Sequence, residues 1–316
     1  MPDDAAIRTI DLSKGYPTGH VLQKRRPALI DLTLEVRRGE ILGYVGPNGS
    51  GKTTTLKLLT GLLHPDAGQA WVLGAPLDSR EWRYRVGYLP EHPYLYDYLT
   101  PAEYLDYVGR LFGYDRRRRR ERTRELLALV GLERSANLAM RRFSKGMLQR
   151  AGLAQALVND PELLILDEPM SGLDPLGRRL VRNLVSELHA RGKTVLFSSH
   201  ILSDAEALCD RVAVLRGGRL LNVGALRDLL KLDVSHLEVL AAGVRQDLPG
   251  LAAERQEAVG DRLRLEVRED RLGPAVAAIE AAGGRVLSVL PVRESLEDFF
   301  FREVAGAAPR DTWGEG

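Results

Sequence analysis

The feature that most restricts how this chain can fold is the glycine-rich stretch Gly46–Thr53, which reads Gly-Pro-Asn-Gly-Ser-Gly-Lys-Thr. The apolar segment Ile41–Val45 precedes it and a helix-like leucine pattern follows it, which is the setting of the phosphate-binding pattern G-x-x-x-x-G-K-[ST]. In such a loop the glycines let backbone N–H groups turn toward the β- and γ-phosphates, Lys52 supplies a positive charge, and the Thr53 hydroxyl is placed to ligate Mg²⁺. The sequence therefore predicts a nucleoside triphosphate site. Its candidate binding residues are Gly46, Pro47, Asn48, Gly49, Ser50, Gly51, Lys52, Thr53 and Thr54.

A second motif, Leu163–Glu168, consists of four aliphatic residues followed by Asp167 and Glu168. A buried strand would deliver both carboxylates to the carboxyl edge of a parallel sheet, where the glycine-rich loop is also expected. There Asp167 is a candidate Mg²⁺ ligand and Glu168 a candidate base for an attacking water. An acidic strand-to-loop junction without a catalytic role is the alternative, and the neighbouring phosphate loop argues against it.

The order of the predicted elements favours an α/β fold with a helical insert. Strand-like segments lie at 5–12, 28–36, 41–45, 68–73, 84–89, 163–166, 194–198 and 212–215. A helical pattern occupies about 101–158, and others lie at 176–191 and 201–209. Strands alternating with helices are typical of a parallel sheet covered by helices. The stretch Gly15–Gly19 predicts a loop between the first two strands.

The character of the chain changes near residue 225. Strand-like segments at 235–240, 262–267 and 285–290, with helix-like segments at 272–282 and 294–304, predict a small α+β unit without a catalytic cluster. We therefore expect residues 1–225 to form a nucleotide-binding domain with a helical subdomain at about 91–160. Residues 226–305 are expected to form an accessory domain, and residues 306–316 a flexible tail.

Composition excludes several classes of protein. Uncharged stretches such as Thr194–Ser203 are too short for a membrane helix, which needs roughly 18 apolar residues. Met1–Asp4 lacks the apolar core of a secretory signal, and the single cysteine, Cys209, excludes an internal disulfide framework. The net charge of +2 gives no reason to expect nucleic acid as the main partner. The run Arg116–Arg120 is the exception, with two interpretations: a solvated helix start, or a patch for lipid or nucleic acid.

A third motif lies in the helical insert, shortly before the strand at 163–166. Residues 143–150 read Phe-Ser-Lys-Gly-Met-Leu-Gln-Arg and resemble Leu-Ser-Gly-Gly-Gln-x-Gln-Arg, the signature of ATP-binding cassette (ABC) ATPases, with Lys145 in place of Gly and Met147 in place of Gln. With the two phosphate-site motifs, residues 5–225 resemble an ABC ATPase subunit. The resemblance implies a P-loop NTPase with a RecA-like core, an antiparallel β-subdomain and a helical subdomain. It also implies that Ser144 and Gly146 close over the γ-phosphate bound to a second subunit.

Further residues match motifs of the family. Ser171–Asp174 resembles the loop at the dimer interface, His200 resembles the switch histidine that contacts the γ-phosphate, and Tyr16 matches the aromatic residue that stacks on adenine. The resemblance therefore implies the following site residues: catalytic Glu168, His200 and Glu91; nucleotide-contacting Tyr16, Ser144, Gly146 and Asp174 beside the phosphate loop; and metal-binding Thr53, Asp167 and Glu91.

Glu91 departs from the family, which usually has Gln at this position. A carboxylate can still meet Mg²⁺ or water, but it adds negative charge near the γ-phosphate. The Tyr-Leu-Pro-Glu variant at 88–91, together with the Ser-Lys-Gly-Met signature, resembles the ABC-2-type exporter subfamily, in which ATPase and membrane subunit are separate chains. The segment Glu294–Phe300 resembles the C-terminal ending of that subfamily, and an amphipathic helix capped by Ser295 is its alternative interpretation.

The resemblance implies an ATPase that converts ATP and water to ADP and phosphate, with ATP and Mg²⁺ as cofactors. The expected partners are a membrane permease and a second copy in a homodimer, with no nucleic acid, at the cytoplasmic face of the cell membrane. The permease is expected to dock near Pro93–Leu99, where the alternative is core packing against the helical insert. An importer subunit, a soluble ABC ATPase acting on a ribosome or DNA, and a module that holds ATP without turnover are the other functions consistent with the motifs. The sequence does not identify the cargo.

Overall fold

The computed structural model describes residues 5–18, 24–229, 236–244, 253, 255–260 and 262–292. The backbone divides into two compact units, residues 1–226 and 227–316. Within the described ranges, no helix is both long and apolar enough to cross a membrane. The predicted helix at 294–304, the Glu294–Phe300 segment and the tail from Gly306 lie outside the described residues.

The strands of the first unit are β1 (Ala5–Thr18), β2 (Lys24–Arg37), β3 (Ile41–Val45), β4 (Ala67–Val72), β5 (Ala75–Pro76), β6 (Val86–Leu89), β7 (Leu163–Leu166), β8 (Thr194–Ser199), β9 (Arg211–Arg216) and β10 (Arg219–Ala225). Its helices are α1 (Lys52–Leu59), α2 (Pro101–Leu111), α3 (Arg116–Leu129), α4 (Lys145–Ala156), α5 (Pro175–Ala190) and α6 (Leu202–Leu208). A short helix α7 (Leu226–Leu229) follows at the boundary between the units.

The larger sheet has the order β10-β9-β3-β8-β7-β6, in which all neighbours are parallel except β10 and β9. Strands β3, β7 and β8 are buried along their whole length. Their side chains share an apolar core with α1 and with strands of a second sheet. The carboxyl ends of β3, β7 and β8 lie at one edge, so the chain segments that follow them meet there. The predicted α/β class and RecA-like core are confirmed.

A second sheet, with the order β2-β1-β4-β5, is antiparallel and forms the β-subdomain. The prediction of a loop at Gly15–Gly19 is wrong for its first part, since β1 continues to Thr18 and Tyr16 pairs with Arg26 of β2. Beyond Ser13 the strand β1 has β2 as its only paired neighbour among the described strands. Pro17 is therefore tolerated, because no second neighbour requires its missing N–H.

Helices α2, α3 and α4 form the predicted helical insert between β6 and β7. Helix α2 begins at a capping box, in which the Thr100 hydroxyl accepts from the Glu103 N–H and the Glu103 carboxylate accepts from the Thr100 N–H. Asp115 and Ser144 cap α3 and α4 in the same manner, by accepting from backbone N–H groups of the first turn. Each helix of the insert therefore begins where a capping side chain stands in the sequence.

The second unit contains β11 (His236–Ala242), β12 (Arg255–Val259), β13 (Arg262–Arg268), α8 (Leu272–Ala281) and β14 (Arg285–Val292). Its sheet is antiparallel with the order β12-β13-β11-β14. Val239, Leu265 and Ile279 belong to its separate apolar core. The predicted α+β character is confirmed, and β12 is an additional strand.

Candidate active site

The glycine-rich loop connects β3 to α1 and encloses the Lys52 ammonium group. Gly51 has φ of +107°, and a Cβ there would lie 2.5 Å from the Ala28 carbonyl oxygen, so only glycine fits this position. Lys52 Nζ donates to the carbonyl oxygens of Gly46 at 2.7 Å and Pro47 at 3.3 Å. The loop thus holds a buried cation at the start of a helix, where backbone N–H groups also favour anions.

The Asp167 carboxylate lies at the end of β7 beside the start of α1. Its Oδ1 accepts from Thr53 Oγ1 at 3.2 Å and from Ser198 Oγ at 2.7 Å. Its Oδ2 is buried and has no hydrogen-bond partner among the described residues. Burial raises the pKa of Asp167, and the nearby carboxylates of Glu168 and Glu91 act in the same direction.

This donor set fits Mg²⁺. The ion prefers oxygen ligands and is usually held by one or two carboxylates together with substrate phosphates. The free Oδ2 of Asp167 and the hydroxyl of Thr53 are such oxygens, and a divalent cation here would offset the negative charge that burial disfavours. Among the described residues, no group of three or more His, Cys, Asp or Glu side chains forms a self-sufficient metal site.

Glu168 contacts both a lysine and a histidine. Its Oε1 lies 3.5 Å from Lys52 Nζ, and its Oε2 lies 2.8 Å from His200 Nδ1. Its backbone is left-handed, with φ of +47°, a conformation that costs a non-glycine residue about 1–3 kcal/mol and is concentrated at functional sites. The Glu168 N–H donates to Ser198 Oγ at 2.9 Å, which helps to hold this conformation. Lys52, Glu168 and His200, from three separate motifs, therefore meet in one place.

These groups open into a cleft of about 820 Å³. The residues lining it are Tyr16, Arg26, Pro27, Ala28, Asn48, Gly49, Ser50, Gly51, Lys52, Thr53, Thr54, Glu91, Glu168, Ser171 and His200. Glu91 reaches the cleft because β6 ends beside β7, where the Asp167 N–H donates to the Leu89 carbonyl oxygen at 2.8 Å. The Tyr16 hydroxyl lies 3.3 Å from Thr54 Oγ1, so this tyrosine borders the far end of the phosphate loop.

Six predicted site residues are not among those that line the cleft: Gly46, Pro47, Asp167, Ser144, Gly146 and Asp174. The first three hydrogen-bond to the lining residues Lys52 and Thr53. The Ser144 hydroxyl accepts from the Met147 N–H at 3.3 Å and caps α4, and the Asp174 carboxylate accepts from the Gly177 N–H at 2.7 Å and caps α5. The Lys145 side chain, in the signature, contacts the 171–174 loop, since a Cβ built at Gly172 would lie 2.5 Å from Lys145 Nζ. The signature and the 171–174 loop are thus adjacent on this chain.

Sequence reasoning missed the parts played by Ser198 and Arg26. Ser198 joins Asp167 to the Glu168 backbone by two hydrogen bonds, and a serine at the end of an apolar strand gives no distinctive signal for this. Arg26 lines the cleft because it pairs with Tyr16 across β1 and β2. Its position depends on a strand pairing that the sequence does not indicate.

We predict that Ser198→Ala lowers stability by about 1–3 kcal/mol, because the Glu168 N–H is left buried without its acceptor. The same change should reduce the rate of ATP hydrolysis about 10- to 100-fold, as loss of a group that orients a metal ligand usually does. Thermal unfolding and steady-state turnover measure the two effects. The control is Ser186→Ala on the exposed side of α5, which should leave both unchanged. Wild-type values for Ser198→Ala would show that this hydroxyl is dispensable.

Known proteins resemble the chain in sequence. A family model described as ABC transporter matches residues 29–171. An uncharacterised ABC transporter ATP-binding protein of Synechocystis sp. is 42% identical over 303 residues, which cover 94% of this chain and 84% of that protein. A Nod factor export ATP-binding protein I of Cupriavidus pinatubonensis is 39% identical over 288 residues, which cover 89% of this chain and 87% of that protein.

Solved structures resemble the chain as well. A dimeric ATP-binding cassette in a post-hydrolysis state, bound to ADP and Pi, superposes with a TM-score of 0.65 at 27% identity and covers 70% of this chain and 99% of its own. An ATP-binding subunit of an ABC transporter superposes with a TM-score of 0.62 at 35% identity, with coverage of 71% and 91%.

Proposed function

The chain belongs to the ATP-binding proteins of ABC transporters and is an ATPase, and from this premise we propose that it drives an exporter whose membrane permease is a separate chain. The ATP-driven part of the proposal rests on the meeting of Lys52, Glu168 and His200 at the phosphate loop. Relatives named as Nod factor export proteins support export over import. The cargo contacts the permease and is not specified by the ATPase cleft.

The proposed reaction uses groups that the cleft already brings together. Lys52 and the loop N–H groups bind the β- and γ-phosphates, and the Tyr16 ring, 39% exposed, is available to stack on adenine. The Glu168 carboxylate orients the attacking water and accepts its proton, while His200, bonded to Glu168, fixes the position of that carboxylate. Thr53 and Asp167 would hold Mg²⁺, with Glu91 at the cleft wall. The ion would neutralise phosphate charge.

We further propose a homodimer in which each signature closes over the nucleotide of the other copy. Ser144 and Gly146 lie away from the cleft of their own chain, beside the 171–174 loop, so they are available to a second copy. The dimeric cassettes among similar structures support this arrangement. We propose residues 226–305 as an accessory domain, residues 306–316 as a tail and residues 91–160 as the helical subdomain.

A cluster of tyrosines beside Glu91 is the proposed docking surface for the permease. We define the tyrosine surface as Tyr94, Tyr96, Tyr98 and Tyr107, which are 93%, 47%, 67% and 40% exposed. The Tyr96 ring lies 5.9 Å from the rings of Tyr98 and Tyr107, so these three residues form one patch, and Tyr94 precedes Tyr96 by two residues in the chain. Tyr94 and Tyr98 are exposed, whereas Tyr96 packs against Tyr104 of α2, so the alternative of packing against the helical insert holds for part of this segment. Exposed tyrosines are common anchors of protein interfaces, and we infer that a short helix of the permease binds here.

We predict that Tyr94→Ala with Tyr98→Ala removes the permease while ATP hydrolysis by the isolated chain is retained. Loss of two exposed aromatic anchors is expected to weaken the complex about 30-fold or more, from about 1 kcal/mol or more for each. The tagged chain is recovered from its native host in mild detergent, and copurifying proteins are identified by mass spectrometry.

The wild-type chain should recover a multi-span membrane protein in about equal amount. Leu62→Ala, at a residue 62% exposed after α1, is the control and should recover it equally well. Recovery of ribosomal or DNA-repair proteins without a membrane protein would overturn the transport function and leave the ATPase intact. Equal permease recovery by the double variant would exclude the tyrosine surface as the docking site.

A further inference from the structure

Helix α3 carries an unusual concentration of positive charge. Residues 116–125 contain seven arginines and two glutamates, a net charge of +5, whereas the whole chain has a net charge of +2. The rest of the protein is therefore net negative. The proposed ATPase and docking functions use none of these arginines.

The position of this charge in the helix is unfavourable for folding. The positive end of a helix dipole lies at its first turn, where cations are disfavoured and acidic residues are preferred. The first turn of α3 has no acidic residue and begins with Arg116, Arg117 and Arg118, so Asp115 at the cap is the acid that opposes them. Residues that destabilise the helix in which they lie are expected at positions where a function requires them.

Some arginines of α3 have structural roles. Arg119 donates to Asp106 at 2.7 Å and to the Tyr114 carbonyl oxygen at 2.8 Å, and Arg122 donates to the Val158 carbonyl oxygen at 3.3 Å. Arg117 pairs with Glu121 at 2.9 Å. The other four are exposed and lie within 4.0 Å of no carboxylate among the described residues: Arg116, Arg118, Arg120 and Arg124. We call these four residues the α3 basic face.

Aromatic and apolar side chains adjoin this face. The Arg118 guanidinium lies 3.7 Å from the centre of the Tyr114 ring. Leu111, the last residue of α2, lies three residues before Tyr114 in the chain, is 65% exposed and follows Tyr107 of the tyrosine surface by one helical turn. Tyr114 is half-buried. Exposed basic residues near a tyrosine and an exposed leucine are typical of surfaces that enter the headgroup region of a membrane.

We propose that the α3 basic face, with Leu111 and Tyr114, binds anionic lipid headgroups at the membrane surface. This inference rests on the proposed function, because a permease bound to the adjoining tyrosine surface would bring the face to a bilayer. Phosphate groups of anionic lipids supply the negative charge that the four arginines lack within the described structure. The face is then a second, electrostatic contact with the membrane beside the permease.

The test is cosedimentation of the purified full-length chain with vesicles. Vesicles of phosphatidylcholine alone are compared with vesicles that also contain phosphatidylglycerol. We expect binding to the second kind only, with loss of binding when salt is raised to about 1 M, where the screening length is about 3 Å. Replacing Arg116, Arg118, Arg120 and Arg124 with Gln should lower the partition coefficient on the order of 100-fold or more, since each arginine near an anionic surface contributes about fivefold.

The matched control removes the same charge from other elements: Arg37, Arg191, Arg219 and Arg227, all exposed, are replaced with Gln. It should bind vesicles nearly as wild type does. ATP hydrolysis and thermal unfolding should stay at wild-type levels in the α3 variant, because removing cations from the first turn does not weaken the helix.

Equal binding by wild type and the α3 variant, or equal binding to both kinds of vesicle, would overturn the proposal. If inorganic phosphate displaces the chain from vesicles, the face is a small-anion site. If the wild-type chain binds duplex DNA more tightly than vesicles and the α3 variant loses that binding, the face is a nucleic-acid site. Either result would also overturn the proposal. If the wild-type chain recovers the permease but binds no vesicles, the lipid-binding inference is refuted and the proposed function stands. Vesicle binding without recovery of a permease would refute the proposed permease partner and leave lipid binding intact.

Discussion

Glu168→Gln is expected to slow ATP hydrolysis by about two to four orders of magnitude while ATP binding remains near wild type. A general base contributes a factor of that size, and an amide of the same shape cannot accept the proton of the attacking water. In the wild type, Glu168 Oε2 lies 2.8 Å from His200 Nδ1. A glutamine amide can also hydrogen-bond to His200, so the cleft should keep its shape. Single-turnover hydrolysis and nucleotide titration measure the two properties separately.

The same variant should accumulate as an ATP-bound dimer, because hydrolysis no longer removes the γ-phosphate between the two copies. Sedimentation with and without Mg-ATP detects this change in mass. The control is Glu187→Gln on the exposed side of α5, which should hydrolyse ATP and sediment as wild type does. Wild-type turnover by Glu168→Gln would exclude Glu168 as the base.

Lys52→Ala is expected to weaken ATP binding about 10- to 100-fold, and to reduce hydrolysis with it, because one charge-assisted contact with phosphate contributes about 1.5–3 kcal/mol. The Lys52 side chain is 6% exposed and held by two loop carbonyl oxygens, so its charge is fixed at the phosphate loop. Fluorescent-nucleotide titration with the purified variant measures the change in affinity.

Lys57→Ala is the matched control, since Lys57 lies on the same helix but does not line the cleft. It should bind ATP as wild type does. Normal affinity in Lys52→Ala would contradict the assignment of Gly46–Thr53 as the phosphate loop. A loss caused by unfolding would appear as a lower melting temperature, and Lys52→Arg, which keeps the charge, should then restore the fold and part of the affinity.

The sequence was informative where a local pattern and its chemistry coincide. The loop Gly46–Thr53 needs glycine for its backbone and lysine for its charge, and four aliphatic residues before Asp167 favour a buried strand. The separate motifs of Glu168 and His200 each follow an apolar strand, and parallel strands that end at one edge bring such segments together. The parallel strands of the central sheet and the phosphate-loop side of the cleft were therefore predictable.

Features that depend on pairing between distant segments were not predictable. Gly15 and Pro17 indicate a loop by local rules, but pairing with β2 extends the strand and places Tyr16 opposite Arg26. Strand β12 has the sequence Arg-Gln-Glu-Ala-Val, which lacks an alternating apolar pattern, and its neighbour β13 determines its conformation. The link from Ser198 to Asp167 likewise joins residues 31 positions apart.

A crystal structure of Glu168→Gln with Mg-ATP tests the central claim most directly. We predict two copies with ATP in each cleft, the γ-phosphate against Lys52 and His200, Mg²⁺ on Thr53 and Asp167, and the Ser144 hydroxyl of each copy against the nucleotide of the other. Nucleotide bound outside the Gly46–Thr53 loop, or a monomer with ATP bound and Ser144 exposed, would contradict this account of the site.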